Sequence, residues 1–127
     1  MKFLAIDVGE NGAIIKFHDD RLTISKTPRY RKDYMTLLKH YEGLNAYVEK
    51  VHAFPGTSAT SGFTYGQTVE RLHFALELND INIIEILPSK WMKYYNVKKG
   101  KKSATVWKNE LKSLAQNLFH DVKVTLW

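Results

Sequence analysis

The sequence predicts an α/β fold: a mixed five-stranded sheet, an antiparallel meander plus parallel strands, flanked by helices. Three observations lead there. Three strand-like segments follow one another near the N-terminus with only tight turns between them, which is the pattern of a meander. Further along, strand-like and helix-like segments alternate, as parallel strands and their crossover helices do. The 127 residues, with 44% hydrophobic and 25% charged side chains, fit one ordinary globular domain and not a disordered chain.

Lys2 to Val8 reads as a buried strand because its apolar run is almost unbroken up to Asp7. Gly9 to Gly12 forms a tight turn into a second strand, Ala13 to Phe17, and His18-Asp19-Asp20 turns into a third, Arg21 to Ser25. A helix is expected over Lys32 to Glu42, with Tyr34, Leu37, Leu38 and Tyr41 on one face, followed by a short central strand, Ala46 to Val51. His52 to Ser61 is rich in Gly, Ser, Thr and Pro and reads as a loop. The helix after it carries Tyr65, Val69, Leu72 and Leu76 at helical spacing. Ile83 to Leu87 is a strand, Ser89 to Tyr95 a short helix opened by Pro88, and Asn96 to Lys102 a basic loop. Ser103 is placed to cap the last helix, on which Trp107, Leu111, Leu114 and Leu118 share a face. Val122 to Leu126 alternates as a final strand.

Composition excludes several classes. With no cysteine there is no disulfide framework, no thiolate zinc site and no thiol nucleophile. No apolar run reaches the roughly 20 residues of a membrane helix, so no membrane partner is expected. Asp7 interrupts the N-terminal apolar stretch too early for a signal peptide, which fits a cytoplasmic protein. No Walker A or G-x-S-x-G pattern occurs, and the five histidines lack metal-ligand spacing.

The formal charge of +6 is concentrated. Lys90, Lys93, Lys98, Lys99, Lys101, Lys102, Lys108 and Lys112 face Glu110 alone between Pro88 and Lys112, a net +7 on a body that is otherwise close to neutral. Such a segment is the electrostatic footprint expected of a polyanion-binding protein. A lysine-decorated, solvated helix face is the plainer reading of the same residues.

Asp7 and Glu49 each interrupt an apolar strand. A carboxylate there is costly unless it is paired or coordinates a cation. Taken singly, each is accounted for by a solvent-facing position or a salt bridge. Two such interruptions near the ends of central strands fit a site for hard divalent cations, with oxygen ligands, serving phosphodiester chemistry.

The residues from Ala5 to Ala13, with Asp7, Gly9 and Gly12, resemble the D-x-G-x-x-G first motif of RuvC-like Holliday junction resolvases. Tyr47 to Gly56 resembles their second motif and matches the phage-type branch best. Phe63 to Thr68 resembles the start of the helix that follows, and Pro88-Ser89-Lys90-Trp91 and Gly100 to Ser103 continue the match in order. The resemblance implies an RNase H-like fold and a homodimer that binds four-way or branched DNA. It implies paired phosphodiester nicking with magnesium, for which manganese substitutes, in the cytoplasm of a bacterial or phage-infected cell. It assigns Asp7 and Glu49 as metal ligands and Lys101 and Lys102 to the loop that meets the scissile phosphate. Lys90, Lys93, Lys98 and Lys99 join them as DNA contacts, and Phe54 falls where the family inserts side chains at the junction centre. The family completes its site with a D-x-x-D helix after the last strand. Trp127 follows the expected last strand directly, so a single nuclease domain lacking that helix is expected, with a non-catalytic branched-DNA binder as the alternative.

Overall fold

A computed structural model describes residues 1–50, 52 and 55–122 of the chain. It contains the mixed five-stranded sheet, in the order β3-β2-β1-β4-β5. β1 (Lys2–Asp7), β2 (Ala13–His18) and β3 (Arg21–Lys26) make the antiparallel meander. β4 (Asn45–Glu49) runs parallel to β1, and β5 (Asn82–Ile86) parallel to β4. The β2–β3 hairpin closes through Asp19 and Asp20, with φ of 47° and 65°. Two-residue hairpin loops of this kind need left-handed backbone at both positions, which aspartate tolerates better than most residues.

The helices are α1 (Arg31–Leu38), α2 (Ala59–Leu78), α3 (Pro88–Tyr94) and α4 (Ala104–Leu118). Two boundaries correct the sequence expectation. α1 ends at Leu38, four residues short of Glu42, because the Tyr41 N–H turns back to the Leu38 carbonyl at 2.9 Å. Gly43, left-handed at φ 73°, then donates to the Asp80 carbonyl at 3.1 Å and sends the chain into β4. α2 begins at Ala59, inside the stretch expected to be loop, because the Ser58 hydroxyl accepts from the Ser61 N–H at 3.1 Å. That cap satisfies a donor that the first helical turn would otherwise leave unmade. The expected final strand, 122–126, lies outside the described residues except for Val122, as do Val51, Ala53 and Phe54.

Two compact units make up the chain, Met1–Pro88 and Ser89–Trp127. In the first, alternate residues of the sheet, Leu4, Ile6, Ile14, Ala46 and Val48, turn to one face and are buried. Tyr34 and Leu38 of α1 and Leu72, Ala75 and Leu76 of α2 close over them. Full burial of a side chain such as Leu72 or Leu76 contributes roughly 1.5–3 kcal/mol. The opposite alternation of β1, β2 and β4 carries an aromatic cluster: Phe3 stacks on Phe17 with ring centres 5.0 Å apart and meets the edge of Tyr47 at 5.5 Å. In the second unit, Ser103 caps α4 by accepting from the Val106 N–H at 3.3 Å. Asn96, left-handed at φ 53°, ends the helical path of α3.

Candidate metal and nucleic-acid site

β1 and β4 are adjacent and parallel, and Ile6 pairs in register with Val48. The next residue on each strand is Asp7 and Glu49. Two carboxylates therefore stand side by side at the carboxyl ends of the two central parallel strands, where open α/β sheets place their ligands. Both fall in the alternation opposite to the buried Ile6 and Val48, so neither is forced into the core; Asp7 is exposed and Glu49 half-buried.

The turn after β1 fixes the first carboxylate. The Gly12 N–H donates to the Gly9 carbonyl at 3.1 Å, and Thr27 locks the turn from β3's far end, its N–H on the Gly12 carbonyl at 3.0 Å and its hydroxyl on the Gly9 carbonyl at 3.0 Å. Gly12 is pressed so closely on β1 that a Cβ there would lie 2.2 Å from the Asp7 carbonyl oxygen. Of the two glycines in D-x-G-x-x-G, the second is thus the steric requirement. At Gly9 the nearest atom to an added Cβ is 4.0 Å away.

Tyr65 joins the pair, a residue that helical spacing alone assigned to the core face of α2. Its hydroxyl donates a long 3.5 Å hydrogen bond to the Val8 carbonyl. Burial foremost, and then the negative charges of Glu49 and Asp7, push its phenol above the ordinary value. It therefore stays protonated, a donor beside two acceptors. A tyrosine four residues before an apolar helical stripe carries no signal of this in sequence. On the neighbouring strand, Glu85 is taken by Lys50 at 3.1 Å.

The fit to a cation is specific in kind. The described residues hold no group of three or more His, Asp or Glu side chains that could enclose a metal, so His52 does not complete one with the pair. Two carboxylate oxygens from adjacent strands suit a magnesium-like ion that keeps several waters and takes further oxygens from a phosphate.

The lysine-rich segment lies in the second unit. Lys90 and Lys93 sit on α3, and Lys98, Lys99 and Lys101 on the turns before α4, all exposed. Lys93, Lys98 and Lys99 line one cleft of about 460 Å³ with Ser89, Met92 and Asn96. Lys102 is differently placed: its Nζ donates to the Lys98 carbonyl at 2.9 Å, pairs with Glu110, and lies 5.7 Å from the Trp107 ring centre. Its charge is thus partly spent within its own unit. Phe54 is outside the described residues.

No family model and no curated protein matches the chain. Solved structures do. The chain is similar to Thermus thermophilus RuvC in complex with a Holliday junction substrate, with a TM-score of 0.66 and 11% identity, over 100% of this chain and 83% of that one. A second Thermus thermophilus RuvC structure aligns with a TM-score of 0.63 and 12% identity, over 100% and 85%. The fold is RuvC-like, of the RNase H type. At this identity the likeness carries the fold and leaves the chemistry to be argued from the residues.

Proposed function

We propose that this protein is a metal-dependent, structure-selective endodeoxyribonuclease of the RuvC type. On this reading it acts as a homodimer on four-way or otherwise branched DNA, and belongs with the phage-type branch that its second motif resembles. The observation that carries the reading is the position of Asp7 and Glu49, each one residue beyond the Ile6–Val48 pair at the carboxyl ends of adjacent parallel strands in this fold. Asp7 and Glu49 would hold magnesium or manganese, which supplies Lewis-acid activation of water and charge neutralisation at the phosphate. Tyr65, kept protonated and hydrogen-bonded to the Val8 carbonyl, stays uncharged beside the pair. Lys90, Lys93, Lys98, Lys99 and Lys101 hold backbone phosphates as point charges. Lys102, pinned to Glu110, orders the turn that presents Lys101. Phe54 is assigned to the junction centre.

A second reading, a branched-DNA binder that does not cut, is favoured by one observation: only two acidic groups are gathered among the described residues. One experiment separates the two. With labelled four-way junctions, the nuclease reading expects paired nicks that need magnesium or manganese and vanish in Asp7→Asn, while that variant still binds. Binding with no nicks at any divalent concentration selects the binder. No junction binding at all refutes both. In the same assay, alanines at Lys98, Lys99 and Lys101 lower the salt slope of log affinity by roughly 0.9 per lost phosphate contact.

A further inference from the structure

Near-neutrality outside the lysine segment hides a second concentration of positive charge. Arg29, Tyr30, Arg31, Lys32 and Arg71 line a cleft of about 500 Å³ where the chain entering α1 meets α2. None of its four cationic side chains forms an ion pair among the described residues. Arg71 is anchored on the backbone. Its Nη1 donates to the Arg29 carbonyl at 2.9 Å, and its Nε is closed off from solvent with no hydrogen-bond partner among the described residues. Anchoring a guanidinium on a backbone carbonyl, and not on a carboxylate, keeps its full charge for whatever fills the cleft.

The cleft continues. A second one, of about 350 Å³, shares Arg31 and Arg71 and runs along α2 past Gly66 and Gln67 to Phe63. Each cleft is bordered by an exposed aromatic, Tyr30 at 58% and Phe63 at 70%. At Gly66 an added Cβ would meet nothing within 4 Å, although glycine inside a helix costs about 1 kcal/mol relative to alanine. Bare backbone there leaves room for a close approach from outside. The acidic neighbours are Asp33 in the first turn of α1 and Glu70, which lines the second cleft.

We propose that the two clefts form a track for an unpaired DNA strand. Arg29, Arg31, Lys32 and Arg71 take its phosphates, and Tyr30 and Phe63 stack on its bases. This rests on the reading of the protein as a branched-DNA enzyme and adds to it a set of single-strand contacts within the first unit. Phosphate-binding cations interleaved with exposed rings are the composition of single-strand surfaces. A free phosphate needs no flanking rings, and four like charges in one cleft disfavour a second copy of this chain.

The test uses the full chain and two probes, a short oligothymidylate and inorganic phosphate, followed by backbone amide shifts. With the oligothymidylate, shifts at residues 29–32 and 63–71 are expected. The double variant Arg31→Ala, Lys32→Ala is expected to lose affinity about tenfold, with a salt slope lowered by roughly 1.4, since each single-strand phosphate contact contributes about 0.7. Phe63→Ala, an exposed side chain, should lower affinity about fivefold or more with the slope unchanged. Shifts confined to 90–102, or an unchanged slope in the double variant, overturn the proposal. So does an equal shift pattern with inorganic phosphate, which assigns the cleft to a free anion. If the oligothymidylate footprint appears while four-way junctions are neither bound nor nicked, the track stands and the resolvase reading falls.

Discussion

Replacing Gly12 by alanine tests the link between the first motif and the position of Asp7. The added methyl would sit 2.2 Å from the Asp7 carbonyl oxygen and 3.0 Å from the Gly9 nitrogen, both backbone atoms that no rotamer change can move aside. Reaching a tolerable separation moves the turn by close to 1 Å, and overpacking of this kind costs roughly 1–3 kcal/mol. The shift also strains three bonds that hold the turn: Gly12 N–H to Gly9, Thr27 N–H to Gly12, and Thr27 hydroxyl to Gly9. Each is worth about 1 kcal/mol net, so a loss of roughly 2–4 kcal/mol follows if one is broken. For a domain of this length, that lowers Tm by roughly 8–16 °C. The assay is thermal and urea unfolding followed by circular dichroism, with Gly9→Ala as the matched control. At Gly9 the nearest atom is 4.0 Å from the new methyl, and the change should stay within about 1 kcal/mol of the parent. Equal stability of the two variants would refute the steric argument, and with it the claim that the second glycine sets the first carboxylate.

Other consequences follow from the packing. Leu76→Ala empties a site in the core that is 0% exposed and should cost about 2–5 kcal/mol, read as a lower urea midpoint with an unchanged slope. Ser103→Ala removes the N-cap of α4 and should cost about 1 kcal/mol, seen as faster amide exchange in residues 104–107 while the sheet keeps its protection. Burial pushes the Tyr34 phenol above its ordinary value, against the smaller opposing effects of the Arg71 charge and a Thr27 hydrogen bond. The native state therefore holds that proton more tightly than the unfolded chain does. Its contribution is complete below about pH 10 and is lost as pH rises through the native value. The urea midpoint should fall over that range, and less steeply in Tyr34→Phe; identical pH profiles would contradict the assignment.

Much of the fold could be read from local chemistry. The tight turn at Asp19-Asp20 and the apolar strands around it dictate the meander, and the carboxylates that break β1 and β4 stand out against their neighbours. The spatial neighbours of those carboxylates were less legible. Tyr65 looks like any core aromatic until α2 is laid beside Val8, and Lys102 looks like its fellow lysines until the turn brings Glu110 onto it. Arg29, Arg31, Lys32 and Arg71 were invisible for a different reason. Summing charge along the chain cancels them against acids elsewhere, whereas the crossing of α1 and α2 gathers them. Helix ends also escaped: the Ser58 hydroxyl that caps α2 stands in a run with Thr57, Thr60 and Ser61 that offers several candidate caps, and the back-turn at Tyr41 is a backbone bond that composition does not encode.

The order of strands also bears on how the molecule comes together. β1, β2 and β3 lie within the first 26 residues and pair through short hairpins, so they can form as soon as that stretch of chain is available. Asp7 meets Glu49 only when β4 closes the first parallel crossover onto β1. The acidic pair is thus a non-local contact, made by the crossover between β1 and β4 and not by the hairpins.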